Sequence, residues 1–297
     1  MSPSVDLNDP TTLGMAPPGM PEMPPGMGMP GMPGPDLSVA GVGRAIAAAS
    51  EEPIPEISKL ESCTVDLPAG LITQSGALVE TATVRELNGY DEERLSRVDM
   101  DKNVAAYVTE LLFLGVEELN GEKPSKETLR GLLIGDRDAL VLGIRRATYG
   151  NGVDFNLDCV ACGNKSEVEV ELDKDVPVVK LDDRYKRTFM VPLRHGEAEV
   201  TLINGDAQEA LGASIDRKTP AEVNTLMLSK SVIKINGVPT MSQLDAIKAL
   251  SAADRATLSD FMNDHQPGPQ FKEILVPCAT CGAEYPVSLG LSNLFRF

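Results

Sequence analysis

Two Cys-x-x-Cys-Gly runs constrain this chain more than anything else in it. Cys159-Val160-Ala161-Cys162-Gly163 and Cys278-Ala279-Thr280-Cys281-Gly282 lie 119 residues apart, and the same separation relates Val168 to Val287. Upstream the separation becomes 116, where Val84-Arg85-Glu86-Leu87-Asn88-Gly89 faces Val200-Thr201-Leu202-Ile203-Asn204-Gly205. At the same separation Val116, Leu119, Asn120 and Gly121 face Val232, Ile235, Asn236 and Gly237. Two added residues then give 118, which sets Asp136-Arg137 opposite Asp254-Arg255. The shifts fall between apolar blocks, where loops absorb changes in length. A tandem internal duplication follows as the expected organisation.

Each copy predicts one order of elements in an α+β fold. A short strand leads to an Asn-Gly turn, since both residues tolerate positive φ. An amphipathic helix comes next; Val104, Tyr107, Val108, Leu111 and Leu112 share one face. In the second copy Thr219-Pro220-Ala221-Glu222 reads as a capping box with proline at the first helical position. A strand enters the second Asn-Gly turn, and two short helices follow. The later helix opens at the Asp-Arg pair, and Ser251 marks its start in the second copy. Strand, knuckle and strand close each copy, with period-two alternation in Val168-Glu169-Val170-Glu171-Leu172.

The expected division is 1–60 as a Met/Pro/Gly-rich arm with a short helix around 39–49, 61–176 as the first unit and 177–297 as the second. Residues 15–35 are almost entirely Met, Pro and Gly, a composition with no helical or strand period and no means of building a core. The remainder suffices for two small domains or one fused core.

Paired knuckles define the chemistry. A two-residue spacer lets both sulfurs face one ion, and the following glycine permits the turn behind them. Two knuckles from two related copies would meet as half-ribbons, giving one zinc ribbon in which Cys159, Cys162, Cys278 and Cys281 hold a structural Zn2+. Four thiolates leave no open position for water, so such a site is structural and not catalytic. Cys63 is left over as a structural thiol. A redox role for either pair would need a helix N-terminus behind it, and strands flank both.

Other residues offer catalysis no foothold. His195 sits at a turn and His265 at a helix end. Asp136-Arg137-Asp138 reads as a helix-start cap with an ion pair, because its twin keeps Asp254-Arg255 and drops the second acid. No phosphate-binding glycine loop or HExxH motif is present. The net charge of −17 and the absence of Trp count against binding nucleic acid or an anionic membrane. The basic runs Arg145-Arg146 and Arg184-Tyr185-Lys186-Arg187 are short. No run is apolar enough to span a membrane and no signal-peptide pattern is seen, so a soluble cytoplasmic origin is expected. The C-terminal Leu294, Phe295 and Phe297 are candidate partner anchors, with folding back onto the knuckles as the alternative.

Three segments together carry a family resemblance: LRGLLIGDRDALVLGIRRATYG (129–150), FNLDCVACG (155–163) and KEILVPCATCGAEYPVSLGLSNLFRF (272–297). Their order resembles the T-even-like phage baseplate family of hub subunits and hub assembly chaperones, over about residues 60–297. The resemblance implies a non-enzymatic role in a contractile tail, in or near the baseplate hub. Hub proteins, tube-initiating proteins and the tape-measure protein would be its partners, and the virion tail or the host cytoplasm during assembly its location. A zinc-ribbon protein associated with nucleic acid or transcription is the alternative reading, and a metalloenzyme a weaker third.

Overall fold

The computed structural model describes residues 60–215, 218–271 and 274–295. The Met/Pro/Gly arm, the helix expected at 39–49 and Phe297 lie outside them.

The fold is α+β. Strands β1 (Ser62–Ile72), β2 (Leu78–Arg85) and β3 (Val116–Leu119) form an antiparallel sheet in that order. Helices α1 (Gly89–Leu95) and α2 (Val104–Gly115) lie between β2 and β3. Then come α3 (Lys126–Gly131), α4 (Ile134–Tyr149) and the hairpin β4 (Gly152–Asp158) with β5 (Lys165–Glu171). A connector carries the short β6 (Val178–Val179).

The second half passes through the same elements. Strands β7 (Thr188–Leu193), β8 (Gly196–Thr201), β9 (Val232–Ile235) and β10 (Val238–Pro239) form one sheet. Helices α5 (Gly205–Gly212) and α6 (Pro220–Ser231) precede β9, and α7 (Leu244–Ala249) and α8 (Ala252–Asp264) follow β10. The short β11 (Gly268–Pro269) pairs with β6. The hairpin β12 (Ile274–Pro277) with β13 (Glu284–Val287) comes last, followed by α9 (Leu291–Leu294).

Registers agree as well as element order. Ala82 faces Leu119 and Val84 faces Val116, with a register shift between Thr83 and Val84. Ala198 faces Ile235 and Val200 faces Val232, with the shift between Glu199 and Val200. Each of these positions is displaced by 116 residues from its counterpart. The knuckle hairpins pair Phe155 with Val168 and Asp158 with Lys165, and Ile274 with Val287 and Pro277 with Glu284, all displaced by 119.

The two Asn-Gly pairs of each half behave differently. Asn120 and Asn236 take φ of 58° and 50°, and the glycines after them are also at positive φ, as a tight turn requires. Asn88 and Asn204 are not turns. Both have extended backbone and cap the helix that follows, Asn88 by accepting from the N–H groups of Tyr90 and Asp91. Asp91, three residues on, completes a capping box at Asn88 and pairs with Arg85 at 2.7 Å. The capping box at Thr219 and Glu222 and the start at Ser251 form as the sequence predicts.

Packing divides the chain differently from its sequence equivalence. One core joins α2, α4 and the β1–β2–β3 sheet to residues of both knuckle hairpins, including Ile274, Val276, Val287 and Leu289. The other joins β7, β8, α6, β9, α7 and α8 through Val191, Val200, Leu228, Val232, Ile247 and Leu258. Of the predicted α2 face, Tyr107, Val108, Leu111 and Leu112 are buried and Val104, at the helix start, is 51% exposed. The opposite face is buried too: Thr109 and Glu110 lie under neighbours that the amphipathic pattern does not announce.

The Asp-Arg pairs are tertiary anchors and not ion pairs. Asp136 is fully buried, and its Oδ1 accepts the N–H groups of Ala69 and Gly70 on β1 at 2.7 and 3.2 Å. Burial pushes its carboxyl up against those two hydrogen bonds. Arg137, also fully buried, donates to the carbonyls of Leu129 and Ala105 and to the Thr109 hydroxyl. In the second half Asp254 accepts from the N–H of Arg194, and Arg255 donates to the Ala221 carbonyl and the Thr225 hydroxyl. Ala221 and Thr225 stand 116 residues from Ala105 and Thr109, so the same contacts recur.

The basic runs are likewise structural. Arg145 donates to the carbonyls of Gly150 and Gly152, and Arg187 to those of Ala69 and Gly70. Arg184 pairs with Glu80 at 2.6 Å.

Gly135, at the start of α4, lies against the backbone that enters β11. A Cβ built there would stand 1.7 Å from the Pro267 carbonyl oxygen. Gly135→Ala is therefore expected to destabilise the fold by roughly 2–3 kcal/mol or more, because backbone and not a flexible side chain must move. A lowered denaturant midpoint checks this; an unchanged midpoint contradicts the close approach.

Glu110 sits between Arg94 and Lys126, with Arg94 Nε at 2.6 Å. Burial alone would push the Glu110 carboxyl up, but the hydrogen bonds from Lys126 and Arg94 outweigh it and hold it below the usual carboxylate range. A carboxyl depressed on folding stabilises above its unfolded pKa, and this contribution is lost as pH falls through the folded value. Glu110→Gln is thus expected to flatten the acid limb of the stability profile; an unchanged limb would contradict the pairing.

Candidate metal centre

The β4–β5 and β12–β13 hairpins bring their knuckles together. In each knuckle the first cysteine is fixed by the backbone. Cys159 N–H donates to the Asn164 carbonyl, and the Cys159 carbonyl accepts from Gly163 N–H; Cys278 does the same with Ala283 and Gly282. Gly163 and Gly282 have φ of 71° and 72°, the left-handed conformation for which glycine is suited. The first cysteines, Cys159 and Cys278, are buried, and the second, Cys162 and Cys281, are exposed.

The four Sγ atoms lie within 4.8 Å of one another. Cys159 is 3.6 Å from Cys281, and Cys162 is 3.8 Å from Cys278. The contacts are crossed: exchanging the two halves turns one pair into the other. A tetrahedron with metal–sulfur bonds of about 2.3 Å has edges of about 3.8 Å, so the spacing and the donor set fit a four-thiolate dication. None of the four is in a disulfide.

The electrostatics show what such an ion would resolve. Hydrogen bonds from the backbone of Cys162 and Ala161 hold the Cys159 thiol below its ordinary value. At Cys162 a hydrogen bond near Asn164 acts downward. The neighbouring Cys159 thiol, local desolvation of the sulfur and the other two thiols outweigh it and push Cys162 up to about 12. Cys281 is raised as well, its hydrogen bonds near Ala283 and to Cys162 outweighed by the Cys159 and Cys278 thiols and local desolvation. Four thiolates cannot share so small a space without a compensating charge.

Other sequence candidates stand elsewhere. Cys63 is on β1, half-buried, with its sulfur 3.9 Å from the Gly143 carbonyl. His195 lies in the β7–β8 turn, where its carbonyl accepts from Asn236. His265 caps α8 and stacks on Phe261 with centroids 3.9 Å apart. Leu294 and Phe295 are buried in the first core, and Phe295 meets Tyr149 edge-on at 6.3 Å. Aromatic and aliphatic surface is more stable against such an apolar core than in water. No described helix is long and apolar enough to cross a membrane.

The site defines an α+β protein whose chemistry is a four-cysteine cluster built from two hairpins distant in sequence. The chain belongs to the T4 bacteriophage base plate protein family, which it matches over residues 77–296. No curated protein matches it, and no solved structure does.

Proposed function

We propose that the protein is a non-enzymatic structural or assembly component of a contractile phage tail, acting in or near the baseplate hub. Its halves, 61–176 and 177–297, are two copies of one unit. A structural zinc ion held by Cys159, Cys162, Cys278 and Cys281 fastens them as a single ribbon.

Membership of the base plate family supports the tail role. The observation that carries the fastener is the gathering of four sulfurs within 4.8 Å from hairpins 119 residues apart. Matching registers and recurring Arg137 and Arg255 contacts support the duplication. Hub proteins, tube-initiating proteins and the tape-measure protein are the proposed partners, and the particle tail or the assembling cell the proposed location.

A phage with this gene interrupted tests the role. Electron microscopy of the lysate should show heads without completed baseplates, restored by the wild-type chain from a plasmid. Normal infectious tails without the protein would end the proposal.

A further inference from the structure

The contact between the halves is one-sided. Helix α5 of the second half lies against α2 and α3 of the first. Glu209 on α5 accepts from Arg130 Nε at 3.0 Å and from the Thr109 hydroxyl, while Asn103 Nδ2 donates to the Glu209 carbonyl at 3.1 Å. Backbone hydrogen bonds extend the joint: Ile134 N–H donates to Ile203, and Gly205 N–H to Leu132. Gly205 is required here, since a Cβ would come 2.5 Å from Arg137 Nη1 and 2.8 Å from the Arg130 carbonyl.

Each half therefore has a counterpart of the other's docking face, and the charged residues of both counterparts, Glu93 and Lys248, are exposed. On the first half, α1 matches α5. It keeps Glu93 where α5 has Glu209, and Gly89 where α5 has Gly205. Glu93 is exposed, and a Cβ at Gly89 would meet nothing within 4 Å, so nothing near it in the chain calls for glycine there. Tyr90 beside it is 81% exposed.

On the second half, α6 and α7 match α2 and α3. Thr225 takes the place of Thr109 and is held by Arg255 at 2.7 Å. Lys248 takes the place of Arg130. It pairs with Asp245 three residues before it at 3.5 Å, as Arg130 pairs with Glu127 at 3.5 Å. The Lys248 side chain is 60% exposed, against 30% for Arg130. Among the described residues the Gly89 N–H and the Leu250 carbonyl, counterparts of the bonded Gly205 and Leu132 groups, have no backbone partner.

We infer that a second copy of this chain docks head to tail, α1 of one copy seating on α6 and α7 of the next, with Glu93 against Lys248. The acid, the cation, the glycine and the two backbone groups recur on these faces, in the arrangement already closed once within the chain, although Thr219 stands where Asn103 makes its bond. Such a contact is heterologous, so it either closes into a ring or continues into a filament. The inference uses the correspondence of the halves and is independent of the metal: Cys159→Ser reads the fastener, whereas charge exchange at this joint reads the association.

The test is sedimentation velocity of the full chain with its Glu93→Arg, Lys248→Glu and doubly substituted variants. The wild type should associate in a concentration-dependent way, and each single variant should weaken association by more than about tenfold, since removing one partner leaves a like-charge contact. The double variant should recover the wild-type mass. Equal mixtures of the two single variants should associate in alternation, because α1 of a Glu93→Arg chain suits α7 of a Lys248→Glu chain and the reverse joint keeps Glu93 against Lys248. Both sites are exposed, so the monomers should keep their circular dichroism. A wild type that is monomeric up to its solubility limit, or a double variant that associates no better than the single ones, overturns the inference.

Discussion

Cys159→Ser and Cys278→Ser are each expected to abolish metal binding, although they lie on different hairpins in different halves. With four thiolates around one ion, replacing either sulfur by a hydroxyl breaks the same site, and structural zinc contributes on the order of 10–16 kcal/mol of apparent binding energy that is coupled to folding. The consequence should be local to both hairpins. Amides of β4–β5 and β12–β13 should lose hydrogen-exchange protection together in either variant, because each knuckle is held by the other. The outer parts of the hairpins should keep more protection, since Val153, Val170, Ile274 and Val287 are anchored in the first core. Cys63→Ser, on β1 with its sulfur against the Gly143 carbonyl and outside the cluster, should retain the metal. If only one knuckle's variant releases metal, the shared site is wrong.

Arg137→Ala should be among the most damaging single substitutions outside the cluster, and Arg255→Ala distinctly milder. Arg137 is fully buried and satisfies two carbonyls and the Thr109 hydroxyl, which in turn holds Glu209 of the other half. Its removal leaves buried acceptors unpaired and unseats the joint, a loss of about 3–5 kcal/mol by analogy with broken buried charge networks. Arg255 makes the matching contacts to Ala221 and Thr225, but it is only half-buried, so water replaces much of what is lost. About 1–2 kcal/mol is expected there. Paired urea denaturation curves measure the difference; equal losses would contradict the asymmetry of the two sites.

Much of this was legible in the sequence because it depends on local spacing. The Cys-x-x-Cys-Gly runs announce knuckles, and the displacement of 119 residues between them anticipates the hairpin registers. Asn120-Gly121 and Asn236-Gly237 are the expected turns. Asn88-Gly89 and Asn204-Gly205 carry the same dipeptide and are helix starts instead; at Asn88 the distinguishing signal is Asp91, whose carboxylate closes the capping box. The Asp-Arg pairs were visible as a recurring feature, yet their partners lie on other elements, which no spacing along one segment reveals. The same holds for Leu294 and Phe295, whose apolar character is compatible with a partner or with a core. Least legible was the joint between halves, because correspondence of two units says nothing about which faces meet. Its one trace in the sequence is the retention of Glu93 with Glu209, and of a cation at Arg130 and Lys248.

The most direct test of the fastener is cobalt substitution of the purified full chain, with metal content and absorption measured on the same sample. One cobalt per chain with the intense visible and charge-transfer bands of a tetrahedral four-thiolate site is the predicted result. Fewer than four thiolates around the ion, or one ion at each knuckle, would contradict it.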